Sequence, residues 1–194
     1  MSDAPALRRK SRGPHPEITW APPGNHVGPT GKSRGPHPEI TCDLKTILEA
    51  GTYAPTGRGL QSPKIVVVEN EEKIKELSDW NRSFFPTEVP DDLDPFYGAK
   101  TLLIVLADSE IPTWIEDGSS VLAVLVNAAH AIGVGSCWIH RARDEFSSKK
   151  GKELLKEWGI PERYEGVGHV VLGYPDMEAP EALPRKEDYI HYVD

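Results

Sequence analysis

The sequence is poor in cysteine, in long apolar runs and in positive charge, and each shortage excludes a class of protein. Its 194 residues contain only Cys42 and Cys137, with no Cys-x-x-Cys pair, which excludes a disulfide framework. No apolar run approaches the roughly 18–20 residues of a membrane span, and the N-terminus lacks the apolar stretch of a secretory signal. The net charge of −8 argues against broad electrostatic affinity for nucleic acid. We therefore expect a cytoplasmic protein that binds neither membrane nor nucleic acid.

The residues that are present divide the chain near residue 42. Residues 1–41 hold eight Pro, five Gly and a net charge of +3, whereas residues 42–194 carry a net charge of −11. The ten residues KSRGPHPEIT occur twice in this head, beginning at Lys10 and at Lys32. A segment so rich in Pro and Gly cannot bury enough apolar surface to offset its ordering entropy. We predict an extended or disordered head over residues 1–41 and a folded domain over residues 42–194.

The head contains two motifs that suggest ligand sites without the required context. GPTGKS (28–33) resembles the end of a phosphate-binding loop, but His26 stands where that motif requires its first Gly. Gly35-Pro36 also interrupts the helix that must follow such a loop. His15 and His37 occupy the same position in the two repeats, and no Cys or carboxylate stands at metal-ligand spacing beside them. We expect neither nucleotide hydrolysis nor a metal site from these residues.

Residues 42–194 alternate between helical and strand patterns. Asp43 is suited to cap a helix that presents Leu44, Ile47 and Leu48 on one face and ends at Gly51. Short apolar runs rich in β-branched residues predict strands, and longer apolar or amphipathic segments predict helices. The predicted strands are 64–69, 101–107, 135–139 and 168–175, and the remaining predicted helices are 71–80, 119–133 and 150–161.

Four segments of this domain resemble, in order and in spacing, the FMN-dependent nitroreductase family. They are LEAGTYAPTGRGLQSPKIVVV, DPFYGAKTLLIVLAD, AAHAIGVGSCWIHRA and EGVGHVVLGYPD, followed by PRKEDY near the end. The resemblance implies an α+β fold in which a mainly antiparallel central sheet is flanked by helices. It also implies a homodimer with FMN at the interface. Such an enzyme passes two electrons from NAD(P)H through FMN to a nitroaromatic, a quinone or a related small acceptor by a ping-pong mechanism, and no side chain acts as a nucleophile because the flavin carries the chemistry.

The resemblance assigns the loop APTGRGLQ to the cofactor. Thr56 offers a hydroxyl and Gln61 an amide, both suited to polar edges of the ligand. Pro55 and Gly57 belong to the same pattern, and Gly57 would allow the backbone to approach the ligand closely. Gly59 stands where the family usually has Asn, so one side-chain contact is missing. From the residues alone, a plain helix-to-strand turn is an equal alternative.

Further cofactor contacts implied by the resemblance lie downstream. Asn81 matches an amide that faces the flavin ring, and a surface polar residue is the alternative. Arg185 and Lys186 match a basic pair that reaches the FMN phosphate, and an ordinary solvated charge pair is the alternative. The aromatic, Pro-broken stretch 80–97 is expected to hold the lid that selects the acceptor. The segment that passes the reactive edge of the flavin comprises Gly135, Ser136, Cys137, Trp138 and Ile139.

The family's N-terminal arginine motif, which grips the FMN phosphate, is altered by the duplication. The nearest matches are Arg8, Arg9 and Arg12 in the first copy and Arg34 in the second, and Gly-Pro follows the motif in both copies. The chain is then either a working FMN oxidoreductase or a flavin-binding family member with weak or no catalysis. A third possibility, an interaction protein that uses the Pro-rich head as a ligand, lacks a clear P-x-x-P motif.

Overall fold

The structure, a computed structural model, describes residues 38–175 and 182–193. Residues 1–37 of the predicted head therefore lie outside the described residues. The described helices are α1 (Pro38–Thr52), α2 (Glu71–Arg82), α3 (Trp114–Ala131), α4 (Ala142–Ser147) and α5 (Lys149–Glu157). The described strands are β1 (Pro63–Val68), β2 (Thr101–Asp108), β3 (Gly135–Ile139) and β4 (Tyr164–Gly173). Short 3₁₀ turns occupy Gly57–Gly59 and Glu187–Tyr189.

The four strands form one antiparallel sheet in the order β1-β2-β4-β3. β2 and β4 are central, and a bulge between Val105 and Leu106 shifts the register between them. Within the described part of the chain, β1 and β3 are the two edge strands. Helices pack on both sides of this sheet, which confirms the predicted α+β fold with a mainly antiparallel sheet.

The sheet separates two hydrophobic cores. Along β2, alternate side chains point to opposite faces, and its apolar residues are buried on both, which is typical of a central strand covered on two sides. One face of the sheet packs against α2, α4 and α5, and it includes Ile104 and Leu106. The other packs against α1 and α3, and it includes Leu103 and Val105. We call these the α2 face and the α3 face.

The first helix begins earlier than the sequence predicts. Asp43 is not its cap, because α1 already begins at Pro38 inside the second copy of the repeat. Proline is favoured in the first turn of a helix, where its missing N–H has no partner to lose and its fixed φ suits the helix. Four repeat residues therefore belong to α1, and the predicted boundary between residues 41 and 42 falls within this helix. Leu44 and Ile47 are buried as predicted.

The other helices match the sequence pattern with two exceptions. α3 was predicted over residues 119–133 but begins at Trp114, because the polar residues Glu116 and Asp117 form its first turn, where acidic side chains are favourable. The six-residue α4 was not predicted. Among the described residues, no helix is both long enough and apolar enough to cross a membrane.

A buried polar pair joins α4 to the sheet on the α2 face. Glu145 of α4 and His169 of β4 are both fully buried, and the Glu145 Oε2 and His169 Nε2 atoms lie 2.5 Å apart. The ring of Phe96 meets the His169 ring edge-on, with 5.3 Å between their centres. Neither side chain can exchange this contact for one with water, so breaking it would leave a buried polar group without a partner. The contact therefore holds α4 against β4.

Candidate functional site

An open groove of about 710 Å³ lies beside β1 on the α3 face. Its floor is apolar and includes Ile65 and Val67 of β1 and Val121 of α3. Tyr53, which also lines the groove, is an exposed large apolar side chain. Concave, mainly apolar sites with a few polar groups are typical of small-molecule binding. Three predicted cofactor residues, Pro55, Thr56 and Gln61, line this groove.

The loop that carries those residues has an unusual backbone. Arg58, Gly59 and Gln61 adopt φ values of 54°, 68° and 51°, in the left-handed region that residues other than glycine rarely occupy. Within the loop, the Gln61 N–H donates to the Thr56 Oγ1 at 3.1 Å. The Thr56 hydroxyl therefore accepts a bond from its own loop and keeps its proton for another acceptor. The bond and the backbone angles together give the loop a defined shape.

Asp117, near the start of α3, contacts this loop from beneath. The side chain is only 3% exposed. Its Oδ1 accepts from the Gly57 N–H at 2.8 Å, and its Oδ2 accepts from the Ser62 hydroxyl at 2.6 Å and from the Thr113 hydroxyl at 3.2 Å. The sequence does not indicate Asp117 as a site residue, because the two loop residues that it binds, Gly57 and Ser62, lie 60 and 55 positions away along the chain.

Gly57, a predicted cofactor residue, packs against the start of α3. It does not line the groove, and its N–H is bound to Asp117. A Cβ at this position would lie 2.3 Å from the Thr113 Oγ1, a distance that requires something to move. Gly57 thus allows the loop to pack against α3, and its contact with a cofactor stays a prediction.

Asn81, the predicted amide contact, lies at the end of α2 and is fully buried, which excludes the alternative of a surface polar residue. Its Nδ2 donates to the carbonyl of His140 at 3.0 Å, in the turn that follows β3. Its Oδ1 is buried and has no hydrogen-bond partner among the described residues. The structure therefore brings Asn81 together with the end of the predicted 135–139 segment.

The predicted residues of β3 point to both faces of the sheet. Cys137 and Ile139 pack on the α2 face, and burial raises the pKa of the Cys137 thiol. This burial agrees with the expectation that Cys137 is a small packed side chain. Trp138 is 43% exposed and lies on the α3 face, where a Cβ at Gly168 would meet its Nε1. Ser136 is buried, and its hydroxyl has no partner among the described residues.

The predicted lid stretch is tied to the body at several points. Residues 83–98 contain neither helix nor strand. Arg82 donates to the carbonyl of Leu93 at 3.0 Å, and Phe96 is fully buried. The guanidinium of Arg141, in the turn after β3, lies 3.6 Å from the centre of the Phe85 ring. The stretch thus lies beside Asn81 and the β3–α4 turn, and its role as a lid stays a prediction.

Among the described residues, the basic pair predicted to bind phosphate does not line the groove. Arg185 and Lys186 are exposed in the C-terminal arm, which we define as residues 182–193. The Lys186 ammonium lies 3.6 Å from an Asp188 carboxyl oxygen and 5.8 Å from the centre of the Tyr189 ring. The remaining predicted phosphate contacts, Arg8, Arg9, Arg12 and Arg34, lie outside the described residues.

The predicted site residues therefore form two separate groups in one chain. The groove group, Pro55, Thr56 and Gln61, lies beside edge strand β1 on the α3 face. The second group, Asn81 with the β3–α4 turn, lies at the opposite edge and on the α2 face. Three inter-strand spacings separate the two edges, which is roughly 14 Å.

Comparisons with known proteins agree with this fold and identify a family. The model of the Nitroreductase family matches residues 41–174. A protein of Archaeoglobus fulgidus, whose name provisionally describes it as an NADH dehydrogenase/NAD(P)H nitroreductase, is 30% identical over 141 residues. Those residues are 70% of this chain and 74% of that protein.

Solved structures show the same architecture. A nitroreductase with bound FMN from Bacteroides fragilis has a TM-score of 0.71 and 25% identity, and the match covers 83% of this chain and 90% of that one. An FMN-dependent nitroreductase from Clostridium difficile has a TM-score of 0.74 at 22% identity, a likeness that shows the fold alone. That match covers 87% of this chain and 95% of the other.

Proposed function

This chain belongs to the nitroreductase family, and from that premise we propose that it is an FMN-dependent oxidoreductase. It takes two electrons from NAD(P)H and passes them to a nitroaromatic, a quinone or a related small acceptor in a ping-pong sequence. The observation that carries this proposal is the groove beside β1, which lies within the matched residues and presents Thr56 and Gln61 above an apolar floor.

The groove has the chemistry that a flavin requires. A planar aromatic ring is accommodated by the apolar side chains of Ile65, Val67 and Val121. The Thr56 hydroxyl can donate a hydrogen bond, and the Gln61 amide can both donate and accept one. These groups suit the polar edges of the ring or the ribityl chain. The volume of about 710 Å³ lies within the range of small-molecule sites. The residues present therefore fit FMN.

The complete site requires a second copy of the chain. Because the groove group and the Asn81 group occupy opposite faces and edges of the sheet, one FMN is not expected to reach both groups in a single chain. In a homodimer, the groove of one protomer meets the Asn81 group of its partner. The exposed apolar side chains at the groove rim and in the C-terminal arm, including Leu183, Ile190 and Val193, are the kind of surface that such an interface covers.

The phosphate of FMN carries up to two negative charges and needs basic partners. Arg185 and Lys186 are free of strong ion pairs among the described residues, since the Lys186–Asp188 contact is long and exposed. We assign the phosphate to this pair together with one or more of the arginines of the head, Arg8, Arg9, Arg12 and Arg34. Guanidinium groups suit this task because they bind phosphate oxygens in a bidentate manner.

When bound, FMN supplies the chemistry by accepting two electrons from NAD(P)H and delivering them to the acceptor. The chain's own residues bind and orient it. The apolar floor of the groove excludes water from one face of the ring. The Thr56 Oγ1 accepts a hydrogen bond from the Gln61 N–H, and this bond limits the directions in which the hydroxyl can donate to the flavin. Asn81 holds the β3–α4 turn through the carbonyl of His140.

The test is the visible spectrum and the turnover of the purified full-length protein. A yellow protein whose flavin band is bleached by NADH or NADPH and restored by menadione or a nitroarene supports the proposal. A colourless protein that takes up no added FMN favours the alternative, a family member with weak or no catalysis. The double variant Arg185→Ala/Lys186→Ala should bind FMN less tightly, whereas Lys149→Ala, which removes an exposed cation from α5, should not.

The dimer is tested separately by light scattering of the FMN-loaded protein. We expect twice the mass of one 21.4 kDa chain. A monomer with FMN fully bound would contradict the shared site, although it would leave the oxidoreductase assignment standing.

A further inference from the structure

The loop of residues 56–62 needs support from outside itself. Two of its residues, Arg58 and Gln61, adopt left-handed conformations that are disfavoured for residues other than glycine and persist only when the surroundings fix them. The bonds within the loop, such as the Gln61 N–H to Thr56 Oγ1, set its shape. They do not set its position relative to the groove floor.

One buried side chain supplies that position. Both oxygens of the Asp117 carboxyl accept hydrogen bonds from the loop, one from the Gly57 N–H and the other from the Ser62 hydroxyl. Asp117 is itself anchored on α3, which contributes Val121 to the groove floor. The same helix thus holds the floor and, through Asp117, the two ends of the loop that forms the rim.

Asp117 does not line the groove, and neither do the two loop residues that it binds. The residues that do line it, Thr56 and Gln61, lie between those two attachment points or directly beside them. Asp117 therefore acts on a ligand through the loop and not by contact.

We propose that Asp117 is the positioning residue of the FMN site, which sets the affinity and orientation of the flavin by holding Thr56 and Gln61 over the groove. This inference rests on the proposed function, since it takes FMN as the ligand.

The contact between Gly57 and Thr113, beside Asp117 at the start of α3, allows an independent test of the same role. Gly57 packs so closely on Thr113 that an added Cβ would lie 2.3 Å from the Thr113 Oγ1. Gly57→Ala should therefore push the loop away from Asp117 and weaken FMN binding. Thr113→Ala in the same chain removes the clashing atom and leaves the Thr113 Cβ at 3.1 Å from the new methyl. It also removes the hydroxyl that binds Asp117 at 3.2 Å, so the double variant should regain part of the affinity and should not exceed Thr113→Ala alone.

The experiment compares the FMN dissociation constant, by quenching of flavin fluorescence, in full-length wild type, in the Gly57 and Thr113 variants and in four further variants. Asp117→Ala should raise the constant by about tenfold or more, as expected for the loss of hydrogen bonds to a carboxyl group. Asp117→Asn retains one acceptor oxygen and should fall between Asp117→Ala and wild type. Ser62→Ala removes a single bond and should have a smaller effect. Glu116→Gln, an exposed neighbour in the same first turn of α3, is the matched control and should not change the constant.

A purely structural role would lower the stability of the apo-protein without changing the bound flavin. The visible band of FMN, recorded at saturation in each folded variant, separates the two roles. If Asp117 positions the loop, the band of Asp117→Ala shifts toward that of free FMN and the band of Asp117→Asn stays near wild type. Should Asp117→Ala not remain folded, Asp117→Asn, Ser62→Ala and the Gly57/Thr113 pair give the same comparison.

The outcomes separate this inference from the proposed function. Wild type that binds no FMN overturns both. Wild type that binds FMN, with an unchanged constant and an unchanged band in the Asp117 variants, overturns the positioning role alone. Weakened binding in Asp117→Ala and in Gly57→Ala, with recovery in Gly57→Ala/Thr113→Ala, supports it.

Discussion

Replacing Gly59 by Asn should lower the folding stability of the protein and strengthen its binding of FMN. It lines the groove with a φ of 68°, and a Cβ added there would meet no heavy atom within 4 Å. The family pattern that this loop resembles has Asn at the same position. We therefore expect Gly59→Asn to fit without a clash and to place an amide beside the bound flavin.

The two magnitudes follow from the same geometry. A left-handed backbone costs a residue with a Cβ about 1 kcal/mol or more, and Asn less than most because its side chain can bond locally. Folding stability should therefore fall by roughly 0.5–1 kcal/mol. That cost is present in the folded protein with and without FMN, so it does not reduce the affinity. A new hydrogen bond contributes about 0.5–1.5 kcal/mol, so the FMN dissociation constant should fall by about two- to tenfold.

The assay combines urea unfolding of the apo-protein with an FMN titration, and Gly59→Ala is the control. Ala carries at least the same backbone cost but no hydrogen-bonding group, so it should lose stability without any gain in affinity. Equal FMN affinities for Gly59→Asn and Gly59→Ala would refute the reasoning, because the groove would then not present this position to the flavin.

Three further changes probe the core. His169→Leu leaves the buried Glu145 carboxyl without its partner, so the free energy of unfolding should fall by about 3–5 kcal/mol; a loss near zero in urea unfolding would contradict that burial. Burial raises the pKa of the Cys137 thiol, so the unfolded chain loses this proton at a lower pH than the folded chain does. The free energy of unfolding should therefore fall as the pH rises past the ordinary pKa of a thiol. Urea unfolding between pH 7 and 10 should show this decline, and Cys137→Ala should reduce it. Gly118→Ala places a Cβ 2.5 Å from the Val167 Cγ2, so it should cost about 1–3 kcal/mol, and calorimetry should show partial recovery in Gly118→Ala/Val167→Ala.

The sheet could be predicted from sequence because its strands are short apolar runs. Residues 64–69 and 101–107 differ from β1 and β2 by one or two positions at their ends. Helix ends were harder, because α1 begins with Pro38, a residue that usually interrupts helices, and α3 begins with a polar first turn. The six residues of α4 are too few to show a period, and this helix is fixed by the contact of Glu145 with β4.

The candidate site was predictable in its residue types and not in its assembly. The loop sequence indicated Thr56 and Gln61, and the structure places both at the groove. The role of Asp117 could not be predicted, since a single Asp in a helical segment has no local signal and its partners are distant in sequence. The sequence alone shows only that Gly57 permits close packing of its backbone. The structure shows that Thr113 is a side chain that packs there.

The separation of the site residues onto two faces of the sheet has a genetic consequence. If each FMN takes its loop from one subunit and its Asn81 from the other, a chain defective in Asp117 and a chain defective in Asn81 can complement each other. In a mixed dimer, one of the two sites inherits both defects and the other inherits neither. Two inactive proteins that are unfolded and refolded together in equal amounts should then recover roughly a quarter of the normal number of working sites.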